Sequence, residues 1–210
     1  MTENGQKAGL SFQQVMQQQA VEKNIVLDEQ QLRLTARLDA LIAPALTRAP
    51  QAHNGLYIWG EPGRGKSFIA DAFFHWAPLA QKKRVHFHRF FRELHQIIAR
   101  GSRIEAAIES AIGGCRLLCF DEFHLHDIGD AMLVKPLLEQ LFRRGVLLVA
   151  TSNHPPENLL ANPLYHQRFL SSIALIREQM EIIALTGEQD YRTLAHDAQG
   201  AFRQGGLLIS

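Results

Sequence analysis

Eight consecutive residues, Gly60-Glu61-Pro62-Gly63-Arg64-Gly65-Lys66-Ser67, have the types and order needed to hold a chain of phosphates. Glycines let successive backbone N–H groups turn inward around an anion where a side chain would collide. The apolar run Leu56-Tyr57-Ile58-Trp59 precedes the loop. A helical pattern with Phe68, Ile69, Ala72, Phe73 and Trp76 on one side follows it. That helix adds the partial positive charge and unpaired donors of its N-terminus. Lys66 is then expected to reach the β- and γ-phosphates, and the Ser67 hydroxyl to ligate magnesium. The full pattern, set between strand and helix, predicts ATP with Mg2+ as the ligand.

A second acidic motif lies 55 residues after Lys66, where Leu117-Leu118-Cys119-Phe120 ends in Asp121-Glu122. An Asp at the tip of a strand beside a phosphate loop helps hold magnesium, the role expected of Asp121. Glu122, at the same sheet edge, is positioned to act as general base toward an attacking water. The next apolar run, Val146-Leu147-Leu148-Val149-Ala150-Thr151, leads into Ser152-Asn153. With its strand inserted between the acidic strand and the loop, Asn153 would orient that water or contact the γ-phosphate.

The elements that must carry these residues are legible as alternation. Short apolar runs at 55–59, 84–88, 116–120, 146–151 and 181–185 read as strands, with helices at about 66–77, 89–99, 127–144 and 167–178. Such alternation predicts a parallel sheet covered on both faces. The stripe Ile128, Met132, Val134, Leu137, Leu138, Leu141 and Phe142 is expected to face the core, and Pro136 to bend or split that helix. Upstream, Asp28 is a plausible N-cap for a helix bearing Leu32, Leu34, Leu38, Leu41 and Ile42, bracketed at its end by Pro44 and Pro50. Phe12, Val15, Met16 and Val21 support a shorter helix over 11–22. The expected fold is a three-layer α/β/α P-loop NTPase with a five-stranded parallel sheet and a helical N-terminal arm. Its domains read as an N-terminal arm at 1–27, an ATPase domain at 28–195 and a short tail at 196–210.

Several blocks together resemble the ZapE/AFG-like ATPases, a branch of the AAA+ superfamily. They are Gly55-Leu56-Tyr57-Ile58-Trp59-Gly60 with the GRGKS run, Val85-His86-Phe87-His88-Arg89-Phe90 and LLCFDEF. Asp127-Ile128-Gly129-Asp130-Ala131-Met132, Leu141-Phe142-Arg143-Arg144-Gly145-Val146, Ala150-Thr151-Ser152-Asn153 and Asp190-Tyr191-Arg192 continue the likeness. It covers about residues 28–192, and the HFHRF block is more specific to the family than the phosphate loop. The resemblance implies ATP hydrolysis by an oligomeric AAA+ protein. Bacterial members are linked to cell division and its tubulin-like ring protein, mitochondrial ones to protein quality control.

Two departures stand out. The family pattern looks like R-x-R-F where this chain has His166-Gln167-Arg168-Phe169, so the arginine finger between subunits is left to Arg168 or is impaired. Relatives also continue much further after the Asp190-Tyr191-Arg192 block, whereas 18 residues follow it here, too few for a lid domain. Slow turnover is the expectation. A nucleotide-gated binding module and a helicase-loader-like ATPase are the alternatives.

Composition narrows the remaining classes. A formal charge of +1 supplies no strong basic field, and Glu93 and Glu105 interrupt the stretch Arg84, Arg89, Arg92, Arg100 and Arg103. That stretch reads as a solvated helix face rather than a nucleic-acid patch. His86 and His88, alternating on a strand, would share one face, yet polar packing is preferred over a metal site. Cys115 and Cys119 read as two reduced thiols. No apolar run reaches the length of a membrane span, and a cytoplasmic location is expected.

Overall fold

The computed structural model describes residues 9–160 and 162–187. Five parallel strands, β1 (Gly55–Trp59), β2 (Lys82–His86), β3 (Leu117–Asp121), β4 (Leu147–Ser152) and β5 (Glu181–Ala184), form one sheet in the order β2-β3-β4-β1-β5. Seven α-helices surround it: α1 (Phe12–Glu22), α2 (Glu29–Thr47), α3 (Lys66–Trp76), α4 (Phe87–Ala99), α5 (Ile104–Ile112), α6 (Ile128–Arg143) and α7 (Pro163–Gln179).

Side-chain alternation along the strands divides the core in two. Tyr57, Leu118, Phe120, Leu148 and Ala150 face one way and pack with α4, α5, α6 and α7. Leu56, Ile58, Leu117, Cys119, Leu147 and Val149 face the other way and pack with α1, α2 and α3. The result is the three-layer arrangement expected of parallel strands apolar on both faces. Helix α1 belongs to the second layer: Phe12 is fully buried, with its ring centroid 5.3 Å from that of Phe73 and 5.4 Å from that of Trp76. Both helices before the sheet begin with a capping box, Ser11 with Gln14 and Asp28 with Gln31.

Four expectations require correction. Strand β2 stops at His86 and α4 begins at Phe87, so His86 and His88 do not share a strand face. The segment carries both periods, and burial of Phe87, Phe90, Phe91 and Leu94 at helical spacing decides for helix. Helix α5 lies in a stretch with no assigned element, and buries Ala107, Ile108 and Ile112. Met132 is 66% exposed and lies off the buried stripe of α6. Pro136 neither splits nor ends α6, and Pro44 lies inside α2. A proline removes the hydrogen bond to the carbonyl four residues back, which is Met132 for Pro136. On that exposed turn, water can take the place of the missing donor.

Candidate nucleotide site

The phosphate loop connects β1 to α3 at the carboxyl ends of the strands, where open α/β sheets bind ligands. Gly60 passes so close to β5's exit that an added Cβ would lie 2.3 Å from the Leu185 carbonyl oxygen. Gly65 caps α3 with φ +84°, a left-handed conformation that a side chain disfavours. The Gly60 N–H donates to the Ser152 carbonyl at 3.2 Å, which ties the start of the loop to the end of β4.

Lys66 is buried and curls back over the loop, donating to the carbonyls of Gly60 at 2.6 Å and Glu61 at 2.8 Å. Burial, and then the nearby Arg64 guanidinium, lower its pKa below the usual lysine value. A buried ammonium held only by two neutral carbonyls is short of counter-charge, which an anion in the loop would supply.

A cavity of about 430 Å³ opens over the loop. Pro62, Gly63, Gly65, Lys66, Ser67 and Phe68 line one side, and Glu122, Thr151, Ser152 and Asn153 the other. The fold therefore brings the loop, Glu122 and Asn153 to one space. The sheet order explains it, because β4 separates β3 from β1 and ends level with both. Arg168 is exposed on α7 and does not line this cavity. Lys66 is the one cation among the lining residues.

Asp121, the last residue of β3 and the neighbour of Glu122, is 7% exposed and is not among the residues that line the cavity. Its Oδ2 accepts from Arg84 Nε at 2.7 Å, while Oδ1 is buried with no hydrogen-bond partner among the described residues. An orphaned carboxylate oxygen together with the exposed Ser67 hydroxyl is a hard-oxygen donor set of the kind that suits magnesium. Arg84 also donates through Nη1 to Asp71 of α3. Burial pulls the Arg84 pKa down, but the bond to Asp121 and the charges of Asp121 and Asp71 outweigh it and raise the value. Arg84 is thus no part of a solvated helix face.

Glu122 has φ +56°, one of three non-glycine residues with positive φ among the described residues. Its neighbours over-determine that strained geometry. The Glu122 N–H donates to Thr151 Oγ1 at 3.3 Å, Phe123 N–H to the Thr151 carbonyl at 2.7 Å, and Ser152 Oγ to the Phe123 carbonyl at 2.7 Å. Tyr57 Oη completes the fastening of the next loop by donating to the His154 carbonyl at 2.7 Å. Gln31, one turn into α2, donates through Nε2 to the Arg64 carbonyl at 3.0 Å and so braces the phosphate loop. Sequence reading missed Gln31, Asp71 and Arg84 in these roles. Only the capping-box spacing of Asp28 and Gln31 and the strand-edge position of Arg84 offered a signal.

A strand, a glycine loop wrapped on a lysine, a helix, and an acidic strand tip separated from the loop by one inserted strand define a P-loop NTPase domain. A sequence profile of the AFG1-like ATPase family matches residues 4–205, and the chain belongs to that family. It is 40% identical over 143 residues to the cell division protein ZapE of Escherichia coli (strain K12), covering 66% of this chain and 38% of that protein. It is 38% identical over 160 residues to the lactation elevated protein 1 homolog B of Danio rerio, covering 69% of this chain and 32% of that protein. This chain thus spans about a third of the length of these relatives. Among solved structures, the fold is similar to DnaI, with TM-score 0.58 and 19% identity over 76% of this chain and 84% of that one. It is also similar to AMPPCP-bound DnaA from Aquifex aeolicus, with TM-score 0.52 and 14% identity over 90% of this chain and 56% of that one. At these identities the likeness is one of fold.

Proposed function

We propose that this domain binds ATP with magnesium and hydrolyses it to ADP and phosphate. The observation that carries the reading is the single cavity flanked by Lys66 and Ser67 on one side and by Glu122 and Asn153 on the other. In this reading Gly60, Glu61, Pro62, Gly63, Arg64 and Gly65 wrap the phosphates with backbone N–H groups, and Lys66 exchanges its two carbonyl partners for phosphate oxygens. Ser67 would hold magnesium directly and Asp121, through its free Oδ1, by way of the ion's water shell; the ion would supply charge neutralisation at the phosphates. Glu122 takes the proton of the attacking water, and Asn153 orients that water beside it.

Lys66 is the only cation lining the cavity among the described residues, and this supports a finer point: a second positive charge for phosphoryl transfer comes from a neighbouring subunit. Arg168, exposed on α7, is proposed to supply it to a neighbouring copy, so that turnover by separate subunits is slow. The family and the name of the Escherichia coli relative support a partner among cell-division proteins, with a cytoplasmic setting. No helix among the described residues is long and apolar enough to cross a membrane. Calorimetric titration with ATP and magnesium, paired with phosphate release from wild type and Glu122→Gln, tests the proposal. Tight binding by both and release by wild type alone is expected. Absence of ATP binding by the wild type would remove the reading.

A further inference from the structure

We propose that Arg84 sets the spacing between the two magnesium-binding oxygens by tying the helix that carries Ser67 and the strand that carries Asp121 to β2. This rests on the ATPase reading and adds a positioning residue to it.

The geometry begins with Asp121, whose two carboxylate oxygens have different fates. Oδ2 accepts from Arg84 Nε at 2.7 Å, and Oδ1 is buried with no partner among the described residues. A carboxylate held through one oxygen has its rotation fixed, so the direction of the other is fixed as well. Arg84 thereby determines which oxygen is offered to a cation and where it points.

The second arm reaches the other ligand. Asp71 lies four residues after Ser67 on α3, about one helical turn along the same face. Arg84 Nη1 donates to Asp71 Oδ1, so one guanidinium spans α3 and β3. Its fork is planar and rigid, and the two contacts cannot move independently of each other. Lysine, a point charge on a flexible stem, cannot fix that span.

Arg84's place in the sheet argues the same way. Strand β2 is at the sheet edge, paired only with β3, and Arg84 is in register with Cys119 while His86 is in register with Asp121. Arg84 therefore leans two residues toward the carboxyl edge to reach Asp121. Its side chain is 21% exposed and that of Asp121 10%, so their pairing is sheltered from solvent screening. Neutralising the Asp121 charge alone would require no contact with Asp71. The bond to α3 is the part that a purely structural ion pair leaves unexplained.

Two uses of the pair make different predictions, and magnesium titration separates them. ATP affinity would be measured by calorimetry without metal and across a magnesium series, for wild type, Arg84→Met, Arg84→Lys and Asp71→Ala. Loss of a group that orients a metal ligand lowers metal affinity by about 10–100-fold. Arg84→Met is expected to raise the magnesium midpoint by about that factor while metal-free ATP affinity stays as in wild type. Asp71→Ala keeps the Arg84–Asp121 pair and removes the acceptor on α3, and it should move the midpoint the same way. Arg84→Lys should recover only part of the loss. Asp71 is 51% exposed and 3.5 Å from His75, so its substitution is readily tolerated and decides the matter if Arg84→Met does not fold. An unchanged magnesium midpoint in Asp71→Ala, or an equal fall of metal-free and metal-dependent affinity in Arg84→Met, overturns the proposal. A wild type that binds ATP at no magnesium concentration overturns it together with the ATPase reading.

Discussion

The backbone N–H of Glu122 donates to the side-chain oxygen of Thr151 at 3.3 Å, which joins the residue after β3 to the penultimate residue of β4. Glu122 adopts φ +56° under that constraint. A left-handed conformation costs a side-chain-bearing residue about 1–2 kcal/mol, which glycine does not incur. Glu122→Gly should therefore leave the fold as stable or raise it by up to about 1 kcal/mol, while phosphate release is lost. Denaturant unfolding beside a turnover assay checks this. A marked loss of stability would show that the Glu122 side chain serves the fold and not the cavity.

The neighbouring carboxylates should separate cleanly. Glu122 is exposed on the cavity wall and Asp121 is buried against Arg84. Glu122→Gln should retain ATP binding and lower kcat by about 10²–10⁴-fold, the usual contribution of a general base. Asp121→Asn should weaken binding only when magnesium is present, and should also reduce stability because it uncouples Arg84. Equal effects of the two substitutions on binding and on rate would contradict the assigned roles.

Lys66→Ala tests the phosphate loop itself. Two charge-assisted bonds to phosphate oxygens are lost, each worth about 1.5–3 kcal/mol, so affinity should fall at least roughly a hundredfold. The fold should survive, because Lys66 contacts only the carbonyls of Gly60 and Glu61 and both belong to its own loop. Calorimetry with magnesium present reads the affinity, and circular dichroism reads the fold. Wild-type affinity in this variant would remove the loop from the binding site.

Why these residues were legible while Arg84 was not follows from the range of the interactions. The phosphate loop is a local device: its glycines, lysine and hydroxyl act within eight consecutive residues, and the flanking periods of two and 3.6 announce strand and helix. The strand tips Asp121 and Asn153 were readable because each ends an apolar run. Arg84 belongs to a different case. Its partners are 13 and 37 residues away, and only the folded sheet brings Asp71 and Asp121 to one guanidinium. The residues 84–88 misled for a related reason, since Val85-His86-Phe87-His88 alternates like a strand while Phe87, Phe90, Phe91 and Leu94 repeat like a helix. Tertiary burial chose between them. The proposed tail at 196–210 and the Asp190-Tyr191-Arg192 block lie outside the described residues.

Histidines beside the cavity should give the fold an acid-sensitive edge. The ring of His124 is 4.9 Å from that of His126 and 5.2 Å from that of His154, and its Nδ1 is buried without a partner among the described residues. Burial first, then the charges of His126 and His154, lower the His124 pKa below the usual histidine value. The unfolded chain, with a pKa of about 6.5, then binds more protons than the folded one as pH falls. Stability should decline as pH drops through about 6.5 and level off below the folded pKa. His124→Asn should flatten that decline in thermal melts taken from pH 7.5 to 5 (about one transition range). An unaltered slope would place the acid sensitivity elsewhere.

Arg168 supports the most consequential expectation, because it concerns rate and assembly together. Among the described residues the cavity has a single lining cation, Lys66, whereas the charge that develops in phosphoryl transfer is best met by a second. Arg168 is exposed on α7 and does not line its own chain's cavity, so in the proposed reading it serves a neighbour's nucleotide. An arginine delivered in this way contributes about 10³–10⁵ to kcat in the GTPases where it has been measured. Specific activity should therefore rise with protein concentration as subunits meet, and Arg168→Ala should abolish the rise while leaving the dilute rate unchanged. Mixing Glu122→Gln with Arg168→Ala supplies the decisive control. Each variant is deficient alone, but a mixed pair combines an intact base in one subunit with an intact arginine in the other. Sedimentation and steady-state turnover over a concentration series measure both properties. Turnover independent of concentration, equally fast in Arg168→Ala, would show that a single chain contains all the charge its reaction needs.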